Sequence, residues 1–296
     1  IVTSVTWRIL PAANMEYAAF GFENAAAAQA FAHEAASAGV WHESIQPPNY
    51  VALKNRAIGS SVPEKWMVFV ASEKIELDDA VVRFGAERYS FDLSKAEWDE
   101  RYYPLRGKKF GPSIIPVDVL VPQDMIARFD SVMVDKFEGS FVYEATAVGQ
   151  EAFALIGFIL ADERKDDFAM SFANSLVISE AAKKLGGRAY ASGMYLTTES
   201  ESIFGKDRLN AVAAFKAATD PSSIMNPGKV LPVSMDAKSP AKFIARAIGS
   251  ARSVAGIGAA LGRVLGGKKN EAKKLTDLPN NMEDSAFSCA ACGFCR

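Results

Sequence analysis

Two apolar runs, Phe141 to Val148 and Phe153 to Leu160, are joined through Gly149-Gln150. Strand-forming residues on both sides of a short glycine-containing link predict a β-hairpin, and with it an antiparallel sheet. The flanking sequence supplies further strands and the helices to pack on them. Met15 to Phe22 is apolar and aromatic, a predicted strand, after which Asn24 caps an alanine-rich helix that runs to about Ala38 and ends at Gly39. Lys65 to Ser72 reads as a buried strand, and Pro116 to Val121 as a short strand closed by Pro122. Asp124 to Lys136 places Met125, Phe129, Val132 and Met133 on one helical face. Asp166 to Leu185 is a long amphipathic helix stopped by Gly186-Gly187, and Arg208 to Ala218 is another, halted by Asp220-Pro221. The expected fold class is therefore α+β, an antiparallel sheet with helices on one face, over residues 1–232.

Several function classes are disfavoured by what the chain lacks. There is no G-x-G-x-x-G and no G-x-x-x-x-G-K-[ST], so neither a Rossmann nor a P-loop nucleotide site is supported. No fixed-period repeat is visible. A net charge of −2 gives no global attraction to nucleic acid, and a hydrophobic content of 49% is ample for a core. No uninterrupted apolar run reaches the roughly 18 residues of a membrane span. The nearest stretch, Phe243 to Leu265, is broken by Arg246, Arg252 and Arg263. It reads as a docked linker helix or as an interfacial helix making peripheral membrane contact. Its short, glycine-rich polar face favours the linker.

All three cysteines lie near the C-terminus, as Cys289, Cys292 and Cys295, in the spacing C-x2-C-x2-C. That spacing opens the ferredoxin-type ligand run, whose fourth cysteine follows after three further residues. The sequence stops at Arg296, so a fourth ligand is expected outside it. A [4Fe-4S] cluster on these thiolates is the favoured reading. Zinc, or three unligated thiols, are the alternatives, although zinc sites more often pair two C-x-x-C units a dozen or more residues apart. Clustered cysteines without a disulfide framework favour a reducing compartment, so a cytoplasmic location is expected, with membrane association through a complex left open. The start at Ile1 shows no basic n-region, and the sequence reads as a piece of a longer protein.

One segment is distinctive: Phe215-Lys-Ala-Ala-Thr-Asp220-Pro221-Ser-Ser-Ile224-Met-Asn226-Pro227-Gly228-Lys229-Val-Leu-Pro232. Locally it is a helix end followed by a tight turn. As a whole it resembles the closing motif of the FAD-linked oxidases of the vanillyl-alcohol-oxidase type, which include D-lactate dehydrogenases and the glycolate oxidase flavoprotein subunit. Ile1 to Pro11 is similar to the last strand of that family's FAD-binding domain. Trp98-Asp-Glu-Arg101 resembles its W-x-x-R, Asp118-Val-Leu-Val-Pro122 its D-V-x-V-P, and Gly186-Gly187 the pair before its catalytic strand. The resemblance implies the end of an FAD-binding domain at 1–11, a substrate (cap) domain at 12–232, a linker with a helix at 233–284 and the start of an iron–sulfur segment at 285–296.

It also implies function. The expected protein is an FAD-dependent dehydrogenase that oxidises a small 2-hydroxy acid and passes electrons to the iron–sulfur cluster, with this stretch inactive alone. Ile1, Val2, Thr3, Asn226, Pro227, Gly228 and Lys229 would contact FAD. Arg101 would hold the anionic substrate, since guanidinium pairs bidentately with carboxylate. The expected partners are that substrate and an electron-acceptor protein or iron–sulfur domain. The departures concern histidine. The family's hydroxy-acid dehydrogenases carry a histidine metal pair near the hairpin and a Glu-His-Gly base, whereas here Glu144 to Phe153 and Arg188 to Leu196 contain none. His33 and His42 lie elsewhere in the chain and read as surface residues. A metal-assisted mechanism is thus not supported, and proton removal passes to Tyr190, Tyr195 or Glu199. A scaffold or electron-transfer subunit that keeps the fold without the base is the alternative reading, and an unrelated α+β binding protein with a zinc tail is a third.

Overall fold

The structure, a computed structural model, describes residues 14–101, 115–137, 141–160, 168–192, 196–226 and 230–231. Eight strands form one sheet in the order β4-β1-β3-β2-β6-β7-β5-β8. They are β1 Glu16–Phe22, β2 His42–Gln46, β3 Trp66–Ser72, β4 Glu87–Arg88, β5 Ile115–Pro122, β6 Phe141–Val148, β7 Ala152–Ile159 and β8 Arg188–Ala189. All the pairings are antiparallel. The hairpin forms as the sequence predicts, with Phe141 opposite Ile159 and Val148 opposite Ala152. Gly149 in its turn has φ +63°, the left-handed backbone that glycine tolerates best.

The strands alternate their side chains between two faces. One face carries the main core: Phe20 and Phe22 from β1, Ile45 from β2, Val68 and Val70 from β3, Phe141 and Tyr143 from β6, Phe153 and Leu155 from β7, and Val117 and Val119 from β5. Helices α1 (Ala25–Ser37), α5 (Ile126–Phe137) and α6 (Phe168–Lys184) cover it. Phe31, Ala32 and Ala35 of α1 are fully buried there, and so is Phe129 of α5, with Met133 close to it. Asn24 caps α1 as expected, its side-chain oxygen accepting the Ala27 N–H at 2.9 Å.

The second face is not left bare. Helices α2 (Pro48–Ile58) and α4 (Phe91–Asp99) lie over its β1-β3-β2-β6 half, through Tyr50, Val51, Leu53 and Leu93. The one-sided helical layer expected from sequence thus gains two short helices opposite it. Pro48 occupies the first turn of α2, where its missing N–H costs nothing, and Gly59 closes the helix at φ +72°. On the β7-β5-β8 half of this face Ile156 and Tyr190 are roughly half exposed among the described residues, while Phe158 of β7 packs against α2. Helices α3 (Asp78–Phe84), α7 (Ser200–Phe204) and α8 (Lys206–Thr219) are the remaining described α-helices, and short 3-10 helices form at Gln123–Met125 and Thr197–Glu199.

Gly187 has a packing reason beyond stopping α6. A Cβ there would sit 2.2 Å from the Leu120 carbonyl oxygen and 2.9 Å from that of Ala182. Only glycine lets β8 approach β5 this closely. The segments 1–11, 233–284 and 285–296 assigned from sequence lie outside the described residues, as do the linker helix and all three cysteines.

Candidate active site

Helix α4 builds one wall of a cleft on the second face. Ser94, Glu97, Trp98 and Arg101 recur at i, i+3, i+4 and i+7, so a single helical stripe faces the sheet. The Ser90 hydroxyl starts the helix by accepting the Leu93 N–H at 3.3 Å. Strand β2 builds the floor with period two, presenting His42, Ser44 and Gln46, while β6 adds Glu144 and β1 adds Tyr17. The enclosed room is small, about 20 Å³, enough for one ordered water or the polar end of a small molecule.

Trp98 is the hub. The Arg101 guanidinium lies 4.4 Å above its ring, and Arg101 Nη1 donates to the Trp98 carbonyl at 2.8 Å. His42 meets the same indole edge-on, with centroids 5.3 Å apart, and Tyr17 packs against it at 5.6 Å. A cation and an imidazole are thereby fixed on one aromatic platform.

Glu144 is held on two sides. Gln46 Nε2 donates to its Oε1 at 3.1 Å, and the Tyr50 hydroxyl donates to its Oε2 at 3.2 Å. Behind them Lys54, fully buried, donates to Gln46 Oε1 at 2.7 Å, pairs with Glu97 and lies 5.1 Å from the Phe69 ring centre. Burial pushes the Glu97 carboxyl up, and Lys54 opposes the shift. Burial likewise lowers His42 from the usual imidazole range. The Glu144 carboxylate pulls the other way, and the Arg101 guanidinium adds to the lowering. His42 therefore rests as neutral imidazole near neutral pH, a form able to accept a proton.

The structure brings Trp98, Arg101 and Glu144 together around one cleft. It corrects the reading of His42 as a remote surface residue: half-buried, it lines the same cleft as Glu144 and Arg101. The distance along the chain concealed this, because β2 and β6 are neighbours in the sheet only through long-range pairing. His33 does lie apart, donating from Nδ1 to Gln123 Oε1 at 2.9 Å and tying α1 to the turn before α5.

The other predicted residues fall away from the cleft. Tyr190 follows β8, with its N–H donating to the Asp118 carbonyl. Between it and β6 lie β7 and β5, so three strand spacings, roughly 14 Å, separate it from Glu144. Glu199 pairs with Lys183 at 2.6 Å. Tyr195 lies outside the described residues, as do Ile1, Val2, Thr3, Pro227, Gly228 and Lys229. Asn226 is exposed with φ +45°. The turn leading to it is organised by Asp220, whose carboxylate accepts the Ile224 and Met225 N–H groups at 2.9 and 3.0 Å. The Lys216 ammonium, with those backbone donors, holds that carboxyl below its usual range.

From the cleft the second face continues, among the described residues, as a partly exposed shelf. Glu144 lies opposite Ile156, Ile156 opposite Asp118, and Tyr190 beside Asp118. Among the described residues no group of three or more His, Cys, Asp or Glu side chains is placed to hold a metal ion, and no helix is long and apolar enough to cross a membrane.

Residues 145–230 match the sequence profile of a family described as FAD linked oxidases, C-terminal domain. The matched stretch begins in β6, next to Glu144, and ends just beyond Asn226, so it contains Ile156 and Tyr190 of the shelf but not Asp118. Comparison with curated proteins gives no match. Among solved structures, the chain is similar to p-cresol methylhydroxylase with substrate bound. The identity is 12% over 74% of this chain and 53% of that one, with a TM-score of 0.52. It is similar also to the 4-ethylphenol oxidase from Gulosibacter chungangensis in its isoeugenol complex, at 15% identity over 75% of this chain and 55% of that one, with a TM-score of 0.55. The chain thus spans about half the length of these proteins, and at such identities the likeness is one of fold. The antiparallel sheet with its helices is the fold of the FAD-linked oxidase C-terminal domain.

Proposed function

We propose that this chain is the substrate-binding part of an FAD-dependent dehydrogenase that oxidises a small organic acid of the 2-hydroxy type. The observation that carries the proposal is the cleft itself: a guanidinium and a neutral imidazole on one indole, beside a fixed carboxylate, at the edge of a partly exposed shelf. Arg101 supplies charge-assisted hydrogen bonds to a substrate carboxylate. The small enclosed room suits the carboxylate and hydroxyl end of a compact acid.

The described residues fit one end of FAD. Ile156, Asp118 and Tyr190 offer a partly apolar wall on which a flat ring can lie, next to the cleft. They offer no glycine-lined cradle for the diphosphate. The left-handed glycines at 39, 59, 85, 149, 186 and 205 have turn or helix-end roles. The diphosphate and adenine end would rest on other parts of the protein, with Asn226 to Lys229 and Ile1 to Thr3 as the chain's own further contacts. When bound, FAD supplies acceptance of a hydride.

Electron exit through a [4Fe-4S] cluster on Cys289, Cys292 and Cys295, with a fourth ligand outside the sequence, completes the proposal. It stands on the ligand spacing, and the reducing setting such a cluster needs keeps a cytoplasmic location in the proposal. An iron–sulfur domain or acceptor protein is then the natural partner. Purification without oxygen tests this. Bound flavin with stoichiometric iron supports the proposal, and zinc in place of iron removes the cluster. A non-catalytic subunit is the second reading, favoured by the small enclosed volume of the cleft. A turnover screen over 2-hydroxy acids separates the two.

A further inference from the structure

We infer that His42 is the proton acceptor of this site, taking the hydroxyl proton of a 2-hydroxy carboxylate whose carboxylate sits on Arg101. The inference deepens the reading above and rests on it. Three observations carry it. His42 and Arg101 are fixed against the same indole, one edge-on and one over the face, so a molecule spanning them has its two ends held at once. Among the described residues the ring nitrogens of His42 make no hydrogen bond, whereas both oxygens of Glu144 already accept one each, from Gln46 and Tyr50. Glu144 is thus engaged by the scaffold, whereas His42 lines the same cleft without such a hydrogen bond among the described residues. Of the other candidate bases among the described residues, Tyr190 is three strands distant and Glu199 is paired with Lys183.

The charges around His42 suit the task. Burial above all, with Arg101 at the end of α4 adding to it, disfavours imidazolium before substrate binds and keeps the acceptor form populated. A bound carboxylate offsets that guanidinium, and Glu144 on β6 favours the imidazolium that forms. Glu97 on α4 and Lys54 on α2 are paired with each other behind the floor and nearly cancel. In the step itself the substrate O–H bond breaks and an N–H bond forms on the imidazole. When bound, FAD would supply the acceptor for the hydride on the same carbon, so that a neutral carbonyl would remain.

The chain has two histidines, so a His33→Gln background leaves His42 as the only imidazole signal in NMR spectra of the 296-residue protein. Glycolate is the probe and acetate the control that lacks the hydroxyl. The expected result is saturable binding of both, lost with Arg101→Gln. Glycolate should shift the His42 ring resonances and acetate should shift them much less. His42→Gln should weaken glycolate up to about tenfold relative to acetate, the size of one neutral hydrogen bond, in a protein whose thermal unfolding is unchanged. If glycolate binds in an Arg101-dependent way but leaves His42 unmoved, His42 is not the acceptor while the substrate-site reading survives. If neither acid binds, that reading fails and the inference fails with it.

Discussion

Strand β2 places Glu43 on the opposite face from His42, inside the main core, and this has a large consequence for stability. Glu43 is 1% exposed, it is paired across the sheet with Val70, and neither of its carboxyl oxygens finds a hydrogen-bond partner among the described residues. Burial pushes its pKa from 4.5 up to about 9. The folded state therefore holds a neutral carboxyl at neutral pH, while the unfolded chain ionises it above 4.5. The folded-state value is the raised one, so this contribution is full below pH 4.5 and is lost as the pH climbs toward about 9. Each pH unit in that window costs about 1.4 kcal/mol, so about 3 kcal/mol has gone by pH 7. Glu43→Gln puts a neutral amide of the same shape in the site and removes this slope. Urea unfolding followed by tryptophan fluorescence at pH 5, 6, 7 and 8 should show the variant gaining on the parent by about 1.4 kcal/mol per unit. Parallel pH profiles for the two proteins would refute the reasoning, because Glu43 would then be ionised or partnered in the folded state.

Two further perturbations test the scaffold around the cleft. Lys54→Met strands Glu97 without its buried partner and should cost about 3–5 kcal/mol in chemical unfolding, whereas Lys54→Met combined with Glu97→Leu should recover most of that. Equal losses in the single and double variants would show that the pair itself holds α2 to α4. Gly187→Ala drives a methyl into backbone oxygens and should destabilise by about 1–3 kcal/mol, read as a lower urea midpoint. An unchanged midpoint would mean that β8 does not pack on β5 as described.

How much of this was legible from sequence varied with the kind of signal. Strands that bury apolar side chains on both faces announced themselves: all seven residues of β3 are buried, and the β6–β7 hairpin has its glycine turn. Asn24 and the Met125-to-Met133 stripe also kept their roles. What escaped was polar but buried. Strand β2 reads His-Glu-Ser-Ile-Gln, too hydrophilic to stand out, yet four of its five residues are buried because α2, α4 and α1 cover both of its faces. The cleft is assembled from β2, α4 and β6, more than 90 residues apart at the extremes, so no local window could join His42 to Glu144. The i, i+3, i+4, i+7 recurrence of Ser94, Glu97, Trp98 and Arg101 was available in the sequence and would have extended W-x-x-R into a helical stripe. Asp220 shows the reverse case: its local capping accounts for the fixed turn before Asn226 without reference to any ligand.

The proposed function puts Arg101 at the centre, as the anchor of an acid that reduces a flavin. Anaerobic mixing of the flavin-loaded protein with a panel of 2-hydroxy acids measures this directly, through bleaching of the flavin absorbance. At least one acid should bleach the flavin, and Arg101→Lys should lower kcat/KM well beyond tenfold, because the bidentate pair cannot form with an ammonium. Bleaching at the same rate and the same substrate concentration in the Arg101→Lys protein would contradict that anchoring role.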